Sequence, residues 1–126
     1  MFEHVIFAID DNNNIHTVAK FTRYIDTLRA TEKLAGGVTQ CIGHWEGDLE
    51  VSYLMRKSDY DQFISGRGWT DKQEAILVVA GDTRQPCTLI MKDGTVHSVG
   101  KMVEIPEPKG NWTYVPVTGK YFTTVM

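Results

Sequence analysis

Residues 4–9, HVIFAI, form a nearly continuous apolar run, the pattern of a strand buried on both faces. The cluster DDNNN at 10–14 ends it, because these short side chains hydrogen-bond nearby backbone and favour turns and helix caps. From Thr17 the period changes: Val18, Phe21, Ile25 and Leu28 recur at three- and four-residue spacing, with Lys20, Arg23, Asp26 and Arg29 elsewhere on the wheel. This predicts an amphipathic helix. Burial of four such side chains contributes about 1.5–3 kcal/mol each before entropy is counted, so the helix is expected to pack on a sheet. Ala35, Gly36 and Gly37 supply its C-terminal stop.

Residues 38–45 and 49–56 predict two strands joined by the short glycine-containing turn EGD. On the second strand Leu49, Val51, Tyr53 and Met55 share one face, and Glu50, Ser52, Leu54 and Arg56 the other. SDYDQFI at 58–64 offers Ser58 as a helix N-cap with Asp61 three residues on, and Tyr60, Phe63 and Ile64 as an apolar stripe. GRGWTDKQ then reads as loop, EAILVVA as a buried strand, and TLIM and VHSVGKMVEI as alternating segments around Asp93-Gly94, a strong hairpin signal. From Pro106 the chain turns rich in proline, glycine and aromatic residues. This segment is expected to run extended, covering a sheet edge or a neighbouring subunit.

The order βαββαβ predicts an α+β fold, a ferredoxin-like sandwich with both helices on one face of an antiparallel sheet, plus an added hairpin strand and the extended C-terminal tail. The chain, 126 residues and 14.2 kDa, fits a single domain, with 1–105 as core and 106–126 as tail. One sheet face then needs cover, and self-association supplies it, so an oligomer is expected.

The net charge of −3 and pI near 5.7 give no reason to expect nucleic acid as a partner. No apolar run approaches the roughly 18 residues a membrane helix needs. The two cysteines, Cys41 and Cys87, lack CxxC spacing, and the N-terminus MFEHVIFAID carries an acid and a histidine within four residues. Neither a disulfide framework nor a signal peptide is indicated, and the cytoplasm is the expected compartment.

Nucleophile-elbow and phosphate-loop motifs are missing from the sequence, and the four histidines, His4, His16, His44 and His97, form no metal-ligand spacing. No metal site is expected. Asp10 and Asp11 read as a strand-end cap rather than a cation loop, and Arg84 in AGDTRQ as solvated loop rather than an anion-binding turn. The stretch GHWEGDLEVSYL at 43–54 is the richest in chemistry. Its plain reading is a hairpin with a decorated turn. Its sharper reading is a cation site, in which the Glu50 carboxylate takes an ammonium and the Trp45 indole attracts an onium centre by about 0.5–2 kcal/mol.

TLRATEKLAGGVTQCIGHWEG at 27–47 resembles the segment of phage S-adenosylmethionine-degrading enzymes in which a helix ending TLRA leads through a glycine-bearing turn to a strand. QEAILVVAGDTRQPCTLIMKDG at 73–94 resembles their later strand, loop and strand, with a threonine in the loop, and VTGKYFTT in the tail is similar in outline. Over most of its length the chain thus resembles the phage S-adenosylmethionine lyases, formerly called hydrolases. The resemblance implies a PII-like form of the ferredoxin fold, a homotrimer holding S-adenosylmethionine between subunits, and no cofactor or metal. It also implies a reaction in which the substrate's own carboxylate attacks its γ-carbon, giving 5′-methylthioadenosine and homoserine lactone, and a role against restriction in the host cytoplasm. The family glutamate after the hairpin turn falls on Glu50, implying a catalytic residue that anchors the methionyl ammonium. The family tyrosine of the preceding strand falls on Trp45, which keeps an aromatic face and loses the hydroxyl, and the loop between them is shorter here. Asp48 is a secondary substrate-binding candidate.

A second function class fits the same chain: a non-catalytic phage accessory protein that sequesters a nucleotide-type ligand or inhibits a host protein. Its motivation is the tail, with Trp112, Tyr114, Tyr121 and Phe122.

Overall fold

A computed structural model describes residues 2–82 and 84–126. Within them the chain runs β1 (His4–Ala8), α1 (Ile15–Ala30), β2 (Thr39–Trp45), β3 (Asp48–Arg56), α2 (Lys57–Phe63), β4 (Ala75–Val79), β5 (Cys87–Met91), β6 (Val96–Ile105), β7 (Trp112–Val115) and β8 (Lys120–Val125). The strands form a closed barrel in the order β1-β3-β2-β7-β8-β6-β5-β4, with every neighbour antiparallel.

The expected ferredoxin-like, PII-like sandwich is corrected by this closure. An open sheet would leave unpaired N–H and C=O groups along its two edges, and a barrel has no edges. The closing element is the segment expected to lie over an edge as an extended tail. Residues 112–125 instead form a hairpin whose turn is tied by Thr118 and Gly119 N–H groups donating to the Val115 carbonyl. β7 pairs with β2 through Ile42–Tyr114, Gly43–Thr113 and His44–Trp112. β8 pairs with β6 from Lys101–Val125 to Ile105–Tyr121. Trp112 and Tyr114 each pack on Tyr121, at centroid distances of 5.2 and 4.8 Å, so these tail aromatics belong to the barrel wall rather than to a free docking arm.

Both helices lie outside the barrel, over β1, β3 and β4. Phe21, Ile25 and Leu28 of α1 join Tyr60 of α2 and Ile64 just beyond it, and meet Val5, Phe7, Tyr53, Met55 and Val78 in one buried cluster. Its centre is aromatic: Phe21 lies 4.7 Å from Tyr53 and, edge-on, 5.0 Å from Trp69, a geometry that adds to plain area burial. Trp69 is therefore a packing residue.

Local caps differ from expectation in instructive ways. α1 starts at Ile15, because the Asn14 side chain accepts the His16 and Thr17 N–H groups at 2.9 and 3.4 Å. It ends at Ala30, ahead of the glycine pair, with Thr31 closing the last turn. α2 has Arg56 at its N-cap and no side-chain cap, so Ser58 does not cap it. Asp61 pairs with Lys57 at 2.7 Å. The buried Asp59 instead accepts the Ala35 and Gly36 N–H groups, each at 3.0 Å, and pins the loop after α1. One glycine is obligatory: Gly100 sits at φ +86° beside the β5–β6 bulge, and a Cβ there would collide with the Val125 carbonyl.

Candidate active site in the barrel interior

Strand alternation sends one half of each strand's side chains outward, to the helices on β1, β3 and β4, and the other half into the barrel. On the inner side, small residues occupy key places: Ala8 on β1, Gly43 on β2, Ser52 on β3 and Ala75 on β4 all line one cavity of about 440 Å³. Ile6, Leu77, Leu89, Val99, Met102 and Phe122 give it apolar walls. The size, and a wall that sets polar side chains among apolar ones, are those of a small-molecule site.

Glu50 stands on this wall. It pairs across β2–β3 with Gly43, which has no side chain to crowd it. Among the described residues the ion pairs join Asp26 to Arg29, Lys57 to Asp61, Asp82 to Arg84 and Glu104 to Lys120. The Glu50 carboxylate is in none of them. Glu46, Glu50 and Glu74 line the cavity against one lysine, Lys72, so its charged lining favours a cationic guest.

Trp45 also lines the cavity, at its mouth, and is 47% exposed. Glu50 and Trp45 thus share one site. Asp48 does not join them: it is exposed on the turn and outside the lining. The turn has positive φ at both central residues, Glu46 at 49° and Gly47 at 89°, which is the two-residue geometry matched to strand twist. Tyr53 points the other way, into the helix-covered core.

The rim is held by polar contacts. The Glu46 N–H donates to Asn111 Oδ1 at 2.9 Å, and Thr123 Oγ1 donates to the Asn111 carbonyl at 2.7 Å. His44 stacks on Trp112 at 5.3 Å and 8°, with its Nδ1 2.7 Å from the Gly110 carbonyl. Across the mouth, Asp10 accepts the Lys72 N–H at 3.0 Å and the Gln73 Nε2 at 3.1 Å, fixing the loop before β4. Asp10 is therefore a loop anchor. Among the described residues no three of His, Cys, Asp and Glu gather as a metal set.

Arg84 is engaged by Asp82, whose carboxyl is held below its usual range by hydrogen bonds from the Arg84 side chain and backbone. Thr83 of the same loop lies outside the described residues. Cys41 and Cys87 are free and buried, and burial pushes the Cys41 thiol up to about 11, which leaves it protonated and unreactive near neutrality. No helix among the described residues is long and apolar enough to cross a membrane.

Sequence reasoning missed Ser52, Gly43, Asn111 and Phe122 as site residues. Ser52 shares the alternation of Glu50 and was available as a signal. Asn111 and Phe122 reach the cavity only through barrel closure, for which no local signal exists.

A hollow, apolar, acid-lined barrel admits many cationic ligands, and the comparison with known families narrows the choice. Residues 8–125 match the S-adenosylmethionine lyase family. The chain belongs to that family. No curated protein matches it. As an S-adenosylmethionine lyase it acts on a small molecule that carries a sulfonium and an ammonium, the charge type that the lining of Glu46, Glu50 and Glu74 favours. The match takes in β2 to β8 and only the last residue, Ala8, of β1, so apart from Ile6 and Phe7 the cavity lining lies within the family's span.

Proposed function

We propose that the barrel cavity is the lyase active site, with Glu50 as the anchor of the methionyl ammonium and Trp45 as an aromatic wall beside the onium end. The observation that carries this reading is an acid that pairs with no cation among the described residues, on the wall of a cavity lined by three carboxylates against one lysine. One carboxylate oxygen of the substrate forms a bond to its own γ-carbon, and the γ-carbon–sulfur bond breaks. The bonding pair stays on sulfur, so the sulfonium becomes the neutral thioether of 5′-methylthioadenosine, and the remainder closes as homoserine lactone. No proton moves and no external nucleophile enters.

Such a step needs confinement more than side-chain chemistry, because holding nucleophile and electrophile of one molecule in near-attack geometry supplies a large effective molarity. Charge is annihilated as it proceeds: carboxylate and sulfonium neutralise each other. Apolar walls therefore disfavour the charged ground state relative to the transition state. The ammonium keeps its charge throughout, so Glu50 binds substrate and transition state alike and its removal acts on affinity first.

The same reading includes a homotrimer, in which a second chain seats on the exposed Leu49 and Trp45 beside the cavity mouth, and a phage anti-restriction role in the host cytoplasm. Light scattering on the purified protein tests the trimer, and protection of unmodified phage DNA in a restricting host tests the role.

The deciding experiment follows methylthioadenosine and homoserine lactone by chromatography after incubation with S-adenosylmethionine. Wild type should yield both, and Glu50→Gln should lose about 10- to 100-fold in kcat/KM, the worth of a hydrogen bond to a charged group, while staying folded. No product from folded, assembled wild type at high concentration would end the lyase reading of this cavity.

A further inference from the structure

The inner face of β3 carries a second polar side chain that the mechanism above leaves idle. Ser52 is 5% exposed, and its Oγ has no hydrogen-bond partner among the described residues. A buried hydroxyl in that state has given up its hydrogen bonds to water without replacement, which is uncommon in folded proteins and calls for a cause. Ser52 is not enclosed in the solid core. It lines the barrel cavity, two residues along from Glu50 and on the same face.

Its neighbours in the sheet leave the hydroxyl without a polar partner. Across the pairings, Ser52 faces Cys41 on one side and Ala8 on the other, and neither supplies a strong donor or acceptor. Gly43 completes the niche. A Cβ at Gly43 would lie 3.8 Å from Ser52 Oγ and 3.8 Å from the Glu50 carbonyl oxygen. The space that a side chain would take there stays free in front of both residues.

We propose that Ser52 is a substrate-contact residue which, with Glu50, reads the amino-acid end of the substrate in a niche kept open by Gly43. Glu50 takes the ammonium, and the Ser52 hydroxyl donates to the carboxylate oxygen that does not attack. Residues i and i+2 of a strand stand about 6.6 Å apart, a span that an ammonium and a carboxylate on one carbon bridge with a hydrogen bond at each end. Fixing one carboxylate oxygen turns the other towards the γ-carbon, and the site gains a preference for ligands bearing both groups. This inference rests on the lyase reading of the cavity and names a further residue within it.

Calorimetry on the full-length protein separates the two. S-Adenosylhomocysteine keeps the amino-acid end but lacks the sulfonium leaving group, and methylthioadenosine lacks the amino-acid end altogether. Ser52→Ala should weaken S-adenosylhomocysteine about 10-fold, as loss of a hydrogen bond to a carboxylate does, and leave methylthioadenosine within about twofold. Because the hydroxyl lacks a partner in the protein, the melting temperature of unliganded Ser52→Ala should hold or rise. Gly43→Ala, whose new methyl meets only ordinary contact distances, should show the same ligand pattern by filling the niche.

Unchanged S-adenosylhomocysteine affinity in Ser52→Ala, with both ligands binding wild type, overturns the Ser52 assignment and leaves the cavity reading standing. Equal loss for both ligands, or a melting temperature lowered by several degrees, also overturns it, because Ser52 would then be structural. If neither ligand binds wild type, the cavity reading falls and takes this inference with it.

Discussion

The two faces of β3 offer a controlled comparison, since one backbone serves both. Outward, Tyr53 and Met55 meet Phe7, Phe21 and Tyr60 in one buried cluster of large side chains. Inward, Glu50 and Ser52 meet Gly43, Ala8 and the opposite wall, and about 440 Å³ remains open. Ser52 is as buried as Tyr53, yet only the outer face is packed. Hydrophobic burial on the outer face holds the barrel, and residue size on the inner face decides that the barrel is hollow. Among the described residues each face holds one buried hydroxyl without a partner, Tyr53 on the outer and Ser52 on the inner, and of the two only Ser52 lines the cavity.

The comparison breaks most visibly at Phe21, the outer aromatic hub. Phe21→Ala should destabilise the fold by about 3–5 kcal/mol, measured by urea denaturation, and a loss below 1 kcal/mol would mean that the outer face is not the packed one. Gly100→Ala tests closure: positive φ costs about 1–2 kcal/mol in a residue with a Cβ, and the clash with Val125 adds to it. The expected signature is loss of stability with β8 fraying first in hydrogen exchange. Uniform exchange across the barrel would count against that view of the seam.

Ala8→Leu probes the hollow side. Filling free volume should cost no more than about 1–3 kcal/mol, the range for added methylenes, and abolish methylthioadenosine binding in calorimetry. Retained binding would put the ligand elsewhere. The smallest effect is alkaline. Burial raises the Cys41 thiol from 9.0 to about 11, so between those values the unfolded chain has released a proton that the folded chain keeps. The unfolded state then binds fewer protons, and stability falls as pH rises through the window while staying flat below it. Tyr53, also raised by burial, adds the same sign at higher pH. Urea midpoints at pH 8 and pH 10 measure the difference, and Cys41→Ala should flatten it.

Periodicity along the chain was enough to reveal the α1 stripe of Phe21, Ile25 and Leu28, the β2–β3 hairpin, and the opposition of Glu50 to Tyr53 on β3. These depend on neighbours two to four residues apart, which is the range over which sequence patterns carry geometry. Helix ends were less legible, since Asn14 and Asp59 act through specific hydrogen bonds, and Asp59 on α2 reaches back to the loop after α1. The end of the chain reads as broken structure because of Pro106, Pro108 and Pro116, although WTYV before Pro116 and KYFTTV after it carry strand-forming residues.

The amino-acid sequence by itself determined the packed face, the hairpin turn, the family and the position of one acid, because alternation, turn chemistry and local motifs are written in consecutive residues. Only the tertiary structure decided that the sheet closes, that Gly43, Ala8, Ser52 and Ala75 converge on one hollow, and that Phe122 and Asn111 complete it. Closure depends on hydrogen bonds between β2 and β7 and between β6 and β8, partners remote in the chain. A cavity is a property of what several strands leave unfilled together, and no single strand encodes it.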